Sequence, residues 1–243
     1  MIPQRFAPIL QEMQPLASRF REAGHRLYLV GGTVRDLLMA TDGEASPVEM
    51  DFDATTTARP EEIKKIVGPI ADAVWTQGEK FGTIGLRIGA RQYEITTHRA
   101  ESYHSDSRKP EVAYSDNVEE DLSRRDFTVN AMALEITSDS PELVDPFGGA
   151  VDLITKVLRT PLSPEISFSD DPLRMMRAAR FIAKLQLVPV PELVAAVKTM
   201  TDRMSIVSAE RIRDELDKLM TLDKPSSGLW FLVDTGLADQ FLP

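Results

Sequence analysis

The stretch "LVGGTVRDLL", residues 29–38, decides how the rest of the chain is read. An apolar, strand-like run from Leu27 to Val30 breaks at Gly31-Gly32. It restarts as Thr33-Val34-Arg35-Asp36-Leu37-Leu38, with an arginine one turn into a helix. Two readings compete. In the plainer one the glycines close a tight turn, Arg35 is solvated and Asp36 favours the helix start. In the sharper one the stretch seats a phosphate. Backbone amides at a helix N-terminus attract anions, and glycines let a phosphate come close to the main chain. Arg35 adds a forked donor suited to phosphate oxygens. The spacing matches neither the P-loop nor G-x-G-x-x-G, so both of those nucleotide folds are disfavoured.

Working outward, residues 5–23 place Phe6, Ile9, Leu10, Met13, Leu16, Ala17 and Phe20 at three-and-four spacing, which predicts an amphipathic helix ending at Gly24. Short strand-like runs follow: "RLYLV", "EMDFDATT", "DAVWTQ", "FGTIGLRIG" and "RQYEITTHR", with a helix predicted over "RPEEIKKIV". Residues 100–120 are polar, charged and without period, and are expected to form a long mobile loop. "DLSRRDFTVNAMALEI" predicts a short helix leading into a strand, and "LVDPFGGAVDLITKVLRT" a turn, a helix and a strand. Beyond about residue 160 the character changes. "DDPLRMMRAARFIAKLQL", "VPELVAAVKTM", "SAERIRDELDKLM" and "PSSGLWFLVDTGL" read as helices, and no further strand is predicted. The expectation is an α+β fold: a mixed domain over residues 1–160, then an all-helical one over 161–243.

Bulk properties narrow the function classes. The 243 residues are 42% hydrophobic and 27% charged, ordinary values for a globular protein. No apolar run approaches the roughly 20 residues that span a bilayer, and the N-terminus does not read as a signal peptide. With no cysteine, disulfides and thiolate metal sites are excluded, and a cytoplasmic location is expected. A net charge of -10 argues against a broadly basic nucleic-acid binder, though not against a locally basic groove.

Three further motifs carry chemistry. In "MDFDATT", Asp51 and Asp53 share one strand face while Phe52 packs on the other. Two adjacent carboxylates repel unless cations neutralise them, and Mg2+ chemistry on nucleoside triphosphates uses such a pair. Glu94, in "YEITTHR", is a candidate third carboxylate on a neighbouring strand. In "DLSRRDFTVNAM", Arg124 and Arg125 lie beside Asp126, with Asn130 four residues on. Arginine suits triphosphate oxygens, and Asp or Asn suits ribose hydroxyls. In "SDDPLRMMRAARF", Asp170 or Asp171 is expected to cap a helix with Pro172 in its first turn. Arg174, Arg177 and Arg180 follow at steps of three, and Asp171 and Arg174 can point together. A carboxylate beside a guanidinium can accept from the exocyclic amine of cytosine or adenine and donate to the adjacent ring nitrogen. Uracil and guanine would present a carbonyl to the carboxylate, as in the donor and acceptor code of base reading. Each motif has a plain alternative in an exposed strand face, a salt-bridged helix surface or a solvated basic stripe.

Taken in order, "LVGGTVRDLL", "DFDATT", "RRDFTVNAMAL", "LVDPFGGAVDL", "DDPLRMMRAARF" and "SAERIRDEL" resemble the head and neck of the class II tRNA nucleotidyltransferases (CCA-adding enzymes) and their sister bacterial poly(A) polymerases. The likeness runs from about residue 25 to the C-terminus and looks closest to actinobacterial members. It implies a DNA polymerase β-like nucleotidyltransferase head with a small mixed sheet and flanking helices, followed by the helical neck. By resemblance, Asp51 and Asp53 match the metal ligands; Glu94, the candidate third carboxylate of the strand pattern, is taken as catalytic with them. Gly31, Gly32 and Arg35 match the triphosphate contacts, Arg125 a nucleotide contact, and Asp126 and Asn130 the ribose side. Asp171 and Arg174 match the amino-acid template for the incoming base, with Arg177 and Arg180 completing nucleotide binding. The 100–120 loop matches a flexible specificity loop, and residues 143–153 a hinge. Glu210 and Arg211, in "SAERIRDEL", match scaffold that supports the template helix. Asp170 stands where the family usually has Glu, and the sequence stops at "GLADQFLP", where the family continues into body and tail domains.

The expected activity is template-independent addition of CMP and AMP from CTP and ATP to the 3' end of tRNA, with Mg2+ as cofactor. A poly(A) polymerase and a CC-only or A-only adding enzyme stand as alternatives, and a non-catalytic nucleotide- or RNA-binding module is the alternative from another class. Residues 171–184 set Asp171 against Arg174, Arg177, Arg180 and Lys184, a local net of +3. Against the acidic total, RNA binding by this chain is expected to be weak and salt-sensitive. No membrane partner is expected.

Overall fold

The computed structural model describes residues 3–40, 51–102 and 111–242. Two compact units divide the chain: Met1–Arg124 with Asn130–Phe147, and Arg125–Val129 with Gly148–Pro243.

The first unit is built on a mixed sheet. After a 3-10 turn at Gln4–Phe6 comes helix α1 (Ala7–Glu22), then β1 (Leu27–Val30), α2 (Gly32–Met39), β2 (Asp51–Thr56), α3 (Pro60–Val67), β3 (Ala73–Trp75), β4 (Thr83–Ile88) and β5 (Arg91–Thr97). The hairpin strands β6 (Arg99–Ser102) and β7 (Glu111–Tyr114), helix α4 (Val118–Ser123), and strands β8 (Ala133–Glu135) and β9 (Leu143–Val144) complete it. The described sheet runs β3-β4-β5-β2-β1-β8-β9. Its central pair, β2 and β5, is parallel, whereas β1 is antiparallel to both β2 and β8.

Alternation along β2 explains why the sheet has one dry face and one chemical face. Phe52 and Ala54 are buried and share their side with Ile84, Leu86, Tyr93 and Ile95, while Asp51 and Asp53 point the other way into solvent. Phe52 stacks on Tyr93 at 5.4 Å between ring centroids, and the Arg91 guanidinium lies over Phe52 while pairing with Glu12 of α1. Helices α1 and α3 pack on each other and on the sheet, joined by a hydrogen bond of 2.6 Å from Arg19 Nε to the Ile66 carbonyl. Near β1 the chemical face is closed over by Tyr28, Val30, Leu122, Ala131 and Ala133, with Val118, Val144 and Phe147 against them. Farther along the same face, Asp51, Asp53 and Glu94 are exposed.

The second unit is helical: α5 (Gly149–Thr155), α6 (Pro164–Asp170), α7 (Leu173–Leu185), α8 (Pro191–Met200), α9 (Ala209–Met220) and α10 (Ser226–Asp234). Helix α7 is its axis, packed against α9 and α10 and buried along Met175, Met176, Ala178, Ala179 and Ile182. Residues Arg125–Val129 belong here, and Phe127 meets Phe181 of α7 edge-on at 5.6 Å.

Three local expectations change. Residues 100–120 are not irregular throughout: β6 and β7 pair antiparallel, Arg99 opposite Tyr114 and Ser102 opposite Glu111, and α4 begins at Val118. Each strand of the hairpin has only four residues, too few for a period of two to stand out in the sequence. Residues 103–110 of that segment, and Glu49-Met50 of the predicted strand before Asp51, lie outside the described residues. The helical unit also contains a strand, because β10 (Val157–Leu158) pairs in parallel with β11 (Val188–Pro189). Two residues are too short for a period of two to register, and Gln186 in the left-handed region, at φ 55°, turns the chain into it. Finally, α6 precedes the arginine-bearing helix: Asp170 is the last residue of α6 and Asp171 its C-cap, while Pro172 stands at the N-cap of α7 rather than in its first turn.

Candidate active site

The first cluster lies on the open face of the sheet. Asp53 of β2 is the register partner of Glu94 of β5, and Asp51 is the partner of Gln92. Register partners on neighbouring strands project to the same side, so Asp51, Asp53 and Glu94 share one face as the sequence pattern expects. The Glu94 carboxyl is held above its ordinary value, first by desolvation and then by the negative charges of Asp53 and Asp51. Among the described residues, no group of three acidic or histidine side chains closes into a ready-made metal cage. Mg2+ commonly takes one or two carboxylates and leaves its other positions to water and phosphate oxygens. The donor set is hard oxygen, exposed and mutually repulsive, so Asp51 and Asp53 suit that ion.

The second cluster answers the question posed by the paired glycines. Gly31 has φ 67° and ψ -131°, a conformation reserved in practice for glycine, and it caps α2. Its amide donates to the Met132 carbonyl at 3.4 Å, tying the turn to the chain before β8. Gly32 opens the helix, and a Cβ there would meet the Arg35 guanidinium at 3.4 Å. Arg35 is 4% exposed, so the solvated reading of this arginine does not hold. Its Nε donates to Asp36 Oδ1 at 2.7 Å and its Nη1 to Asn130 Oδ1 at 2.6 Å. Two residues expected to touch nucleotide from separate motifs, Arg35 and Asn130, thus meet inside the first unit. Asp36, given to the helix start in the plainer reading, orients the guanidinium.

Nearby, Arg124 donates through Nε and Nη2 to Asp121 Oδ1, and the same oxygen accepts from the Arg99 amide at 3.3 Å. Asp121 is fully buried, so this first arginine of the Arg124-Arg125 pair fastens α4 to the start of the β6–β7 hairpin.

The remaining candidates belong to the helical unit. Arg125 is partly buried at the start of the segment 125–129. Asp126 is 8% exposed; its Oδ1 accepts from the Phe127 amide and its Oδ2 takes both Nε and Nη2 of Arg177, at 3.0 and 2.6 Å. Burial works against the Arg177 charge, but the Asp126 carboxylate, with Glu215 and Asp171 beyond it, outweighs that and raises its pKa. Arg180 pairs with the buried Glu215 of α9 and lies over the Phe181 ring, 4.5 Å from its centroid. Asp171, just ahead of α7, accepts from the Leu173 amide through Oδ1, and its Oδ2 accepts from Arg211 Nη2 at 2.8 Å. Arg174 donates to Ser167 Oγ at 2.9 Å.

Helix α9 therefore supplies two partners that sequence reasoning treated as scaffold or did not single out, Arg211 and Glu215. The quoted "SAERIRDEL" contained the signal: an arginine and a glutamate four apart lie on one helix face. What sequence could not provide was the acid and the arginine that they meet.

Comparison with known proteins gives the family. The profile of the "Poly A polymerase head domain" matches residues 27–159, and that of the "Probable RNA and SrmB- binding site of polymerase A" matches residues 190–243. A CCA-adding enzyme of Lactobacillus gasseri is 38% identical over 240 residues, covering 98% of this chain and 56% of its own. One from Streptococcus pneumoniae is 39% identical over 234 residues, covering 96% and 55%. The crystal structure of the Bacillus stearothermophilus CCA-adding enzyme in complex with CTP superposes with a TM-score of 0.80 at 31% identity, covering 99% of this chain and 54% of that one. The chain thus spans about half the length of the curated relatives it matches. These relatives come from a lactobacillus and a streptococcus, and lend no support to an actinobacterial affinity. With the head-domain profile matched over more than half of its length, the chain belongs to the nucleotidyltransferase family of poly A polymerases and CCA-adding enzymes.

Proposed function

We propose that this chain carries the catalytic and nucleotide-selecting parts of a CCA-adding tRNA nucleotidyltransferase, transferring CMP and AMP from CTP and ATP to the 3' end of tRNA. Residues 1–160 act as the catalytic head and 161–243 as the neck that selects the nucleotide. The observation that carries this is the placement of Asp51, Asp53 and Glu94 on one open sheet face.

The reaction joins the RNA 3'-oxygen to the α-phosphorus and breaks the bond from that phosphorus to the bridging oxygen, releasing pyrophosphate. Mg2+ held by Asp51 and Asp53 would supply the positive charge that steadies the triphosphate and makes the 3'-hydroxyl more acidic. Glu94, more basic than an ordinary carboxylate, takes the proton of that hydroxyl. The amide-rich turn at Gly31-Gly32 offers donors toward phosphate oxygens, and Arg35, fixed by Asp36 and Asn130, holds positive charge behind it. Arg125 takes a nucleotide contact, with Asp126 and Asn130 on the ribose side. In the neck, Asp171 accepts from the exocyclic amine of cytosine or adenine and Arg174 donates to the ring nitrogen. Arg177 and Arg180, fixed by Asp126 and Glu215, shape that pocket. Most of the rate enhancement then comes from positioning and preorganised charge.

No helix of the described residues is long and apolar enough to cross a membrane, and we place the activity in the cytoplasm. The test supplies tRNA ending before CCA, tRNA ending in CC, and a generic RNA, each with labelled CTP or ATP. Incorporation limited to two C and one A on tRNA supports the proposal. Long A tails on generic RNA would instead make the chain a poly(A) polymerase, and two C or one A alone a CC-only or A-only enzyme.

A further inference from the structure

Beside the acids lies a feature that the proposed chemistry does not use. Trp75 of β3 is the register partner of Gly85 in β4, Gly85 is the partner of Glu94 in β5, and Glu94 is the partner of Asp53 in β2. One row across four strands therefore runs Trp75, Gly85, Glu94, Asp53, all projecting from the same face. A Cβ built on Gly85 would fall 1.9 Å from Trp75 Nε1, 2.2 Å from Cε2 and 2.6 Å from Cδ1. The two atoms flanking Nε1 are only slightly farther than Nε1 itself. That places the missing Cβ over the face of the pyrrole ring rather than off its edge. The indole lies across Gly85, and any side chain there would push it off.

A glycine inside a strand weakens it and commonly marks a close approach by something else. Here the close approach is the indole of Trp75, which is part-exposed. Neighbouring strands are about 4.8 Å apart, so the ring over Gly85 stands roughly 10 Å, two strand spacings, from Asp53. That separation suits a nucleotide whose sugar oxygen reaches the acids while its base rests on the indole.

The geometry points to Trp75 as the stacking platform for the 3'-terminal base of the RNA acceptor. This rests on the reading of the acid-bearing face as the catalytic site. The base concerned is the acceptor's, because the incoming base already has its partners in Asp171 and Arg174 in the proposed function, whereas nothing there holds the acceptor's base. The acceptor end changes identity with every nucleotide added, and stacking on an aromatic face tolerates all four bases. Gly85 is the seat that lets the ring lie flat.

The chain has two tryptophans, Trp75 and Trp230, so in a Trp230→Phe background Trp75 is the sole indole. The full chain is titrated with a tRNA acceptor-stem minihelix ending in CC and with the same RNA carrying an abasic 3' residue, following indole emission. In parallel, KM for the minihelix and for ATP is measured in Trp75→Ala and Trp75→Phe. The platform predicts quenching by the intact end and much less by the abasic end. It also predicts an RNA KM raised about tenfold in Trp75→Ala, within a range of roughly 5- to 150-fold. KM for ATP should stay within about twofold, and Trp75→Phe should recover most of the loss. Three results would overturn it: equal quenching by both ends, an RNA KM unmoved by Trp75→Ala, or a shift confined to ATP. If the unsubstituted chain incorporates no nucleotide, the CCA-adding proposal falls, and the emission titration still decides the platform by itself.

Discussion

Replacing Glu94 by glutamine should make the metal-free protein more stable, although it removes a residue proposed to act in catalysis. Asp53 and Glu94 are register partners on adjacent parallel strands, so their carboxylates stand about 5 Å apart. At that distance two negative charges repel by about 0.8 kcal/mol in water and about 3 kcal/mol at an effective dielectric of 20. The site is open to solvent and salt, so the lower end applies, about 1 kcal/mol. In a chain of this size that is a rise of about 2–4 °C in Tm. The pH dependence follows from the raised Glu94 carboxyl. Folding lifts its pKa above 4.5, so the folded protein holds the proton more tightly than the unfolded chain. Wild type and Glu94→Gln should match below that value. The advantage of Glu94→Gln should grow as pH rises through the raised pKa and be complete near pH 8. Thermal unfolding across that range, with and without saturating Mg2+, is the assay. Mg2+ should stabilise wild type more than the variant and so narrow the gap. A Glu94→Gln protein no more stable than wild type at pH 8 without metal, or a gap independent of pH, would refute the shared-face electrostatics.

Two further substitutions test the arginine networks. Asn130→Ala removes the oxygen that takes the buried Arg35 Nη1, which should cost about 1–3 kcal/mol of stability and weaken triphosphate binding. Urea unfolding and a CTP titration read both effects, and an unchanged midpoint would contradict the role given to Asn130. Arg211→Ala releases Asp171 from its partner on α9. The pair is partly exposed, so stability should change by less than about 1 kcal/mol. KM for CTP and ATP should move several-fold while KM for RNA stays put; a change in RNA KM alone would remove Arg211 from nucleotide selection.

The fold was legible where one physical rule acts alone. The alternation in "DFDATT" places Phe52 inside and both aspartates outside, as the β2 burial pattern shows. The paired glycines announce a turn no other residue makes, and Gly31 at φ 67° bears that out. Helices beyond residue 160 follow from their apolar period and from caps such as Ser208. Long-range pairings were not legible. Nothing local to Asp36 or Asn130 says that they share one buried arginine, and nothing in "SAERIRDEL" says that its arginine and glutamate meet Asp171 and Arg180. The β6–β7 hairpin escaped because its strands are only four residues long, and β11 because two residues carry no period. Trp75 and Gly85 looked like ordinary strand residues until the register aligned them with Glu94 and Asp53.

The central claim is that the carboxylates on the open sheet face perform nucleotide transfer, and one measurement addresses it directly. Labelled CTP and ATP are supplied with tRNA lacking its CCA end, comparing wild type with Asp51→Ala, alongside metal-free nucleotide binding by both. The account predicts two C and one A added by wild type, no addition by Asp51→Ala, and nucleotide binding without metal largely preserved in the variant. Addition by Asp51→Ala at a rate close to wild type would contradict it.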